Sequence, residues 1–109
     1  MPDINTQISS YQYEFRALPG ENLALLYLFD PEDRLRAWLV FVDGSEPLPE
    51  PREHIGGYVR LTYYRRDLNA MIDLLRNEQP VHFTWSSKLR VARISTIQEP
   101  VGEEEFRGD

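Results

Sequence analysis

Two tyrosines and two arginines follow one another in the chain: Tyr63, Tyr64, Arg65 and Arg66. The apolar pattern changes from strand to helix periodicity directly after them. The N-terminus of a helix presents free backbone N–H groups, and two guanidinium groups beside it would add positive charge. These four residues are therefore the candidate ligand-binding site, and the ligand would be an anion. The alternative is that both arginines are solvated and pair with nearby carboxylates.

A second candidate is one face of the predicted strand 58–64. Tyr58, Arg60, Thr62 and Tyr64 share this face because side chains alternate along a strand. Aromatic rings and arginines on a strand can bind single-stranded nucleic acid by stacking and charge pairing. The formal net charge of −6, from 12 basic and 18 acidic residues, argues against a nucleic acid as the partner.

The residue types give little support to catalytic or metal chemistry. The chain has no cysteine and two histidines, which excludes thiolate metal sites and cysteine nucleophiles. His54 lies in a proline-rich segment and His82 on the polar face of a predicted strand, and neither has a partner at metal-ligand spacing. We expect no metal, no cofactor and no catalytic residue. An enzymatic activity stays open, because residues distant in the chain can form a catalytic group.

Six strands and one helix would position these residues. Apolar patterns predict strands over residues 11–16, 22–29, 34–42, 58–64, 81–85 and 89–97. Apolar residues at helical spacing from Leu68 to Leu75 predict the helix, with Asp67 as N-cap and an end near Asn77 because Pro80 follows. The order ββββαββ predicts an α+β fold, with one largely antiparallel sheet of about six strands and one helix packed on it.

The remaining segments are polar or rich in proline. We expect a flexible N-terminus over residues 1–10, a single α+β domain over 11–98 and an acidic flexible tail over 99–109. Residues 43–57 contain three prolines and are expected to form a mobile surface loop. The longest apolar run has seven residues, far short of the ~20 that cross a membrane. With no signal peptide at the start, we expect a cytoplasmic protein and no membrane partner.

The predicted strands 22–29 and 34–42 are apolar on both faces, whereas one short helix can cover only one face of a sheet. The face left open would hold Ala24, Leu26, Leu28, Trp38, Val40 and Val42, or the side chains opposite to them. Such a patch could reach several hundred Å², more than most monomers show. We therefore expect a homodimer in which this face meets its own copy. The alternative is a sheet that curls until its own strands close over the face.

Residues 74–81 read Leu-Leu-Arg-Asn-Glu-Gln-Pro-Val, and Ile-Ser-Thr at 94–96 and Glu-Pro-Val-Gly-Glu at 99–103 follow. These phrases resemble small bacterial proteins of unknown function over about the last third of the chain. The resemblance implies no activity, cofactor or partner.

Three functions fit these observations. The first is a protein-interaction or regulatory module that acts as a homodimer and has a further, unidentified protein partner. The second is a small-ligand domain that binds an anion between sheet and helix. The third is single-stranded nucleic-acid binding on the Tyr/Arg strand face. The fold class does not choose between them, because one fold can carry many functions.

Overall fold

The computed structural model describes residues 2–96 of the chain, and in this part eight strands form two sheets with one helix packed against them. The elements are β1 (Ile4–Ile8), β2 (Ser10–Leu18), β3 (Glu21–Phe29), β4 (Leu35–Val42), β5 (Arg52–His54), β6 (Tyr58–Tyr64), a 3₁₀ turn (Arg65–Asp67), α1 (Leu68–Asn77), β7 (Val81–Ser86) and β8 (Val91–Thr96). The small sheet has the strand order β1-β7-β8, and the large sheet has the order β2-β3-β4-β6-β5. The α+β class is therefore confirmed, but the prediction of one sheet with six strands is wrong.

The large sheet is mixed, whereas the small sheet is antiparallel throughout. In the large sheet β2 with β3, β3 with β4, and β5 with β6 pair antiparallel, but β4 and β6 are parallel. The reason is the long connection over residues 43–57. It carries the chain back along the sheet before β6 begins, as a parallel pair requires.

Two strands lie in segments where the sequence predicted none. β1 lies within residues 1–10, and β5 lies within residues 43–57. Only Ile4 and Ile8 are apolar in β1, and β5 has no aliphatic side chain, so neither shows an apolar alternation. Their place in the sheets depends on pairing with β7 and β6, which local sequence patterns do not report.

The other predicted elements are confirmed with small shifts at their ends. α1 begins after Asp67 and ends at Asn77, as the apolar spacing indicated. Asp67 holds the N-cap position but makes no capping hydrogen bond with its side chain. The predicted acidic tail over 99–109 lies outside the described residues.

The core lies between the inner face of the large sheet, the small sheet and α1. Alternate side chains of β3, β4 and β6 form this inner face: Ala24, Leu26, Leu28, Ala37, Leu39, Phe41, Val59 and Leu61. The small sheet and the helix cover it with Ile4, Ile8, Val81, Phe83, Trp85 and Leu68. The opposite side of the large sheet, which carries Leu25, Tyr27, Trp38, Val40 and Arg60, is called the outer face below.

A β-bulge in the β3–β4 hairpin decides which side chains share a face. Phe29 pairs with Leu35, but the register shifts by one residue, so Leu28 pairs with Ala37. Without this bulge Leu26 would lie opposite Trp38, which is the grouping that the sequence analysis assumed. One extra residue moves every following side chain of β4 to the other face.

The predicted dimer face is therefore divided between two surfaces. Leu26 and Leu28 lie on the inner face and are fully buried in the core. Trp38, Val40 and Val42 lie on the outer face, where Val40 is only 2% exposed. These five residues cannot form one patch, and the prediction of a single apolar face containing them is wrong.

Candidate functional site

The predicted anion-binding residues point in different directions. Tyr63 lies on the inner face and stacks on Phe41 with 5.6 Å between ring centroids, and burial raises the pKa of its hydroxyl. Tyr64 lies on the outer face and donates its hydroxyl hydrogen to the carbonyl of Glu46. The guanidinium of Arg66 lies over the Tyr64 ring, 4.5 Å from its centroid.

Arg65 is engaged by neighbouring strands. It donates from Nη2 to the carbonyl of Asn22 at 2.9 Å, and its Nε lies 3.5 Å from Oδ1 of Asp43. The Asp43 carboxylate already neutralises this arginine and would repel a second anion. Both arginines lie within the 3₁₀ turn that directly precedes α1. Tyr64, Arg65 and Arg66 line one pocket of about 200 Å³ together with Asp43, whereas Tyr63 points to the opposite face of the sheet.

A cleft of about 400 Å³ lies where the β1–β2 corner meets the end of α1. Its lining includes Tyr11, Leu75, Glu78, Gln79 and Pro80. No arginine or lysine of the described residues lines it, and Glu78 adds negative charge. The space between sheet and helix thus lacks the charge that an anionic ligand would require.

β2 forms an open edge of the large sheet. It has nine residues, and within residues 2–96 it pairs with β3 alone. Tyr13 and Phe15 on this strand are 37% and 67% exposed, and their ring centroids are 4.8 Å apart. Edge strands are commonly protected by proline, lysine, a bulge or short length. β2 contains no proline or lysine and pairs with β3 in an unbroken register, so its edge is open to another strand.

The outer side of β2 carries a charged network. Arg16 donates from Nε to Glu14 at 3.1 Å and from Nη2 to the hydroxyl of Tyr27 at 3.2 Å. The Tyr27 hydroxyl in turn donates to Glu14 at 3.0 Å. The hydrogen bond from Arg16 and then that from Tyr27 lower the pKa of the Glu14 carboxyl. The opposite charges of Glu14 and Arg16 therefore lie side by side along the open edge.

Four aromatic side chains form a continuous row across the outer face, which we call the aromatic row: Tyr27, Trp38, His54 and Tyr58. Tyr27 and Trp38 are nearly parallel, with 6.2 Å between centroids, and Trp38 lies 6.2 Å from His54. His54 and Tyr58 stack with 4.9 Å between centroids and 3° between planes. All four are half-buried, so ring surface remains open to solvent.

Nitrogen atoms without hydrogen-bond acceptors surround the aromatic row. Arg60 lies over the Trp38 ring, with its guanidinium carbon 5.2 Å from the centroid. Among residues 2–96, Trp38 Nε1, His54 Nε2 and Arg60 Nε are shielded from water and have no hydrogen-bond partner. The same holds for Arg36 Nε and Arg65 Nε, but each of these lies within 4.0 Å of a carboxylate, of Asp30 and Asp43 respectively. Buried polar groups are normally paired, so this concentration of unpaired nitrogens marks a site that lacks acceptors.

Glu53 connects the two sheets on the inner side of β5. Its carboxylate accepts hydrogen bonds from Trp85 Nε1 at 3.0 Å, Ser87 Oγ at 2.8 Å and Arg90 Nη1 at 2.9 Å. The hydrogen bond from Trp85, followed by that from Ser87, lowers the pKa of Glu53. Every close partner of this carboxylate is a donor, so its role is to hold β5 against the small sheet.

The sequence pattern identified one of the four residues of the aromatic row, Tyr58. It placed Tyr58 and Arg60 on one strand face, which the register of β6 confirms. It missed Tyr27 and Trp38 because the bulge at Phe29 changes their faces. It also assigned His54 to a loop, although three residues of that loop form β5. A search for aromatic residues on all strands would have found the residues but not their common face.

Comparison with family models, curated proteins and solved structures finds no match for the chain. The resemblance of its last third to small bacterial proteins therefore stays a prediction. Within the described residues, no three histidine, aspartate or glutamate side chains are grouped as a metal site would require. The helix found in residues 2–96 is too short to cross a membrane.

Proposed function

We propose that the protein is a protein-interaction module whose working form is a symmetric homodimer, and that two copies pair through β2. The observation that carries this proposal is the open edge of β2 with its exposed Tyr13 and Phe15. Strand addition at a free edge provides main-chain hydrogen bonds, and side chains beside the edge provide specificity. Pairing through β2 would join two large sheets into one continuous sheet.

The other edge strands are less suited to this role. β5 has three residues and β8 has six, so each offers fewer main-chain groups than the nine residues of β2. In β1 the apolar Ile4 and Ile8 are already buried in the core. Val91 on β8 is exposed, but no exposed aromatic residue accompanies it. Among the edge strands of residues 2–96, β2 alone combines length, an open edge and exposed aromatic surface.

The side chains of β2 favour one antiparallel register between two copies. With the two-fold axis at Phe15, each Phe15 faces its counterpart and each Tyr13 faces Ala17 of the second copy. The same register places Glu14 opposite Arg16 twice, on the outer side of the joined sheet. Opposite charges and aromatic pairs directly across a strand pair are stabilising. A register shifted by two residues would break both ion pairs.

Sedimentation equilibrium tests the assembly. We expect twice the chain mass of 12.8 kDa at micromolar concentration. Phe15→Lys should sediment as a single chain, because it places two like charges at the two-fold axis. Val91→Lys, the same change at the other exposed edge, should leave the mass unchanged. A single-chain mass for the unaltered protein at the highest concentrations would overturn the proposal.

Cysteine cross-linking tests the register, since the chain contains no cysteine of its own. Phe15→Cys should form a disulfide-linked dimer under mild oxidation, because directly opposite residues lie within disulfide range. Val91→Cys is the matched control and should cross-link slowly, through random collisions only. Equal rates for the two variants would contradict pairing of β2 at Phe15.

A further inference from the structure

We propose that the outer face of the large sheet binds single-stranded nucleic acid, with bases on the aromatic row and phosphates at the neighbouring arginines. This inference concerns a different surface from the β2 edge and does not depend on dimerisation. It rests on three observations: the row of rings, the unpaired nitrogens around it and the local excess of positive charge.

The aromatic row offers two nearly parallel ring pairs, Tyr27 with Trp38 and His54 with Tyr58, and Trp38 and His54 meet at 59° between the pairs. Four rings from four strands follow one another with 6.2, 6.2 and 4.9 Å between centroids. Proteins that bind single strands commonly stack bases on aromatic residues of a sheet and place arginines along the backbone. Arg60 lies against Trp38 and would extend this platform by its own planar group.

The unpaired nitrogens define the chemistry of the ligand. Trp38 Nε1 and the Nε atom of Arg60 can only donate hydrogen bonds. What the site lacks is therefore acceptors. Phosphate oxygens, base carbonyls and ring nitrogens are all acceptors, and a nucleotide strand entering between these side chains would supply them together.

The net charge of −6 does not describe this surface. Of the 18 acidic residues, five lie within residues 99–109 of the sequence. On the outer face Glu14 is paired with Arg16. In contrast, among residues 2–96 no carboxylate lies within ion-pair distance of Arg52 or Arg60. These two arginines face each other across β5 and β6, so they form a local positive site beside the rings.

An acidic peptide would satisfy the arginines but would leave the rings unused. Carboxylates pair with guanidinium groups, but an acidic chain has no planar groups to cover four aromatic surfaces. The row of rings therefore favours nucleic acid, and an acidic peptide serves as the competing ligand in the test.

Fluorescence anisotropy of a labelled oligo(dT) of about 15 nucleotides measures binding directly. We expect binding at about 50 mM salt that weakens steeply as salt is raised. Tyr58→Leu should weaken binding at least fivefold, since it removes one stacking surface. Tyr11→Leu, which removes a tyrosine from the inner face of the large sheet, is the matched control and should bind as the unaltered protein does.

The double variant Arg52→Gln/Arg60→Gln tests the interaction of these arginines with phosphates. It should weaken binding and also lower the slope of log K against log salt by about 0.7 for each phosphate that is no longer neutralised. Arg76→Gln/Arg93→Gln makes the same change in net charge away from the outer face and should leave that slope unchanged. Thermal unfolding of each variant shows whether the fold is retained, so weaker binding by an unfolded variant is recognised.

Three results would overturn the inference. The first is the absence of binding to oligo(dT) by the unaltered, folded protein at low salt. The second is an equal decrease of binding in the outer-face variants and their matched controls, which would indicate nonspecific attraction. The third is displacement of the oligonucleotide by an equal concentration of poly-glutamate of the same length, which would identify the surface as an acidic-peptide site.

Discussion

On the inner face of the large sheet, Leu26 of β3 lies opposite Leu39 of β4, and the small sheet and α1 close over them. On the outer face of the same two strands, Leu25 lies opposite Val40, and neither belongs to the core cluster. All four side chains are at most 2% exposed. Burial alone therefore does not identify the core. Large neighbouring side chains can cover an apolar pair and still present rings and charges to solvent.

Two matched substitutions, Leu26→Ala and Leu25→Ala, test most directly whether the inner and outer faces of the large sheet are packed differently. Both remove the same atoms from fully buried neighbours in sequence. We expect Leu26→Ala to cost about 3 kcal/mol of unfolding free energy, because the core around it is fixed on both sides. Leu25→Ala should cost about 1 kcal/mol less, since side chains of a single sheet face can move into the space.

Urea unfolding followed by circular dichroism measures both costs. The m-value should be the same in both variants, because neither substitution alters the surface exposed on unfolding. Equal costs would mean that the outer face is packed as rigidly as the core. A larger cost for Leu25→Ala would reverse the assignment of the two faces.

The strands and the helix could be predicted from the periodicity of the sequence, but which side chains of neighbouring strands share a face of the sheet could not. Alternation places Tyr58 and Arg60 together because both lie on one strand. The relation between Tyr27 and Trp38 depends on the bulge at Phe29. The bulge follows a turn in which Asp33 has a φ of 63° and the Asp30 carboxylate accepts hydrogen bonds from the N–H groups of Glu32 and Arg34. The alternation of apolar residues does not report a bulge of this kind. The predicted dimer face failed at this step.

The predicted anion site is a different case: three of its four residues lie together, and anion binding there stays a prediction. The sequence showed correctly that Tyr63 and Tyr64 are followed by two arginines before a helix. Alternation along the predicted strand already implied that the two rings point to opposite faces. What the sequence could not show is that Asp43 reaches Arg65 from the end of β4. Adjacent residues in the chain are not adjacent in a site when they point to opposite faces of a strand.

Glu53 and His54 are neighbours on β5 that lie on opposite faces of the large sheet. Glu53 holds β5 from the inner side, whereas His54 belongs to the aromatic row on the outer face. The hydrogen bond from Trp85 and then that from Ser87 keep its folded-state pKa below the ordinary value of 4.5. The folded protein therefore binds a proton at Glu53 less readily than the unfolded chain does. This contribution to stability is present above pH 4.5 and is lost as the pH falls through the folded-state pKa.

We expect Glu53→Gln to lower the thermal midpoint by a few degrees at neutral pH and to lose less stability than the unaltered protein on acidification. Glu14 and Asp30, whose pKa values are also lowered, are common to both proteins, so their contributions cancel in the difference. Midpoints measured by circular dichroism across the acid range give this difference. Parallel curves for the two proteins would show that Glu53 titrates alike in the folded and unfolded states.

The smallest expected effect is the change in dimer affinity when charges on the outer side of the proposed β2 pairing are reversed. Phe15 lies on the inner side of the strand, whereas Glu14 and Arg16 lie on the outer side. Since both charged side chains are partly exposed, their pairing would contribute little compared with the contact that two Phe15 rings would form in the proposed dimer. We expect Glu14→Arg or Arg16→Glu to weaken the dimer about two- to fivefold.

The double variant Glu14→Arg/Arg16→Glu restores opposite charges across the two-fold axis and should recover the dimer affinity. Dissociation constants from sedimentation equilibrium measure each step. If both single variants weaken the dimer but the double variant does not recover, the two copies do not pair in the register centred on Phe15.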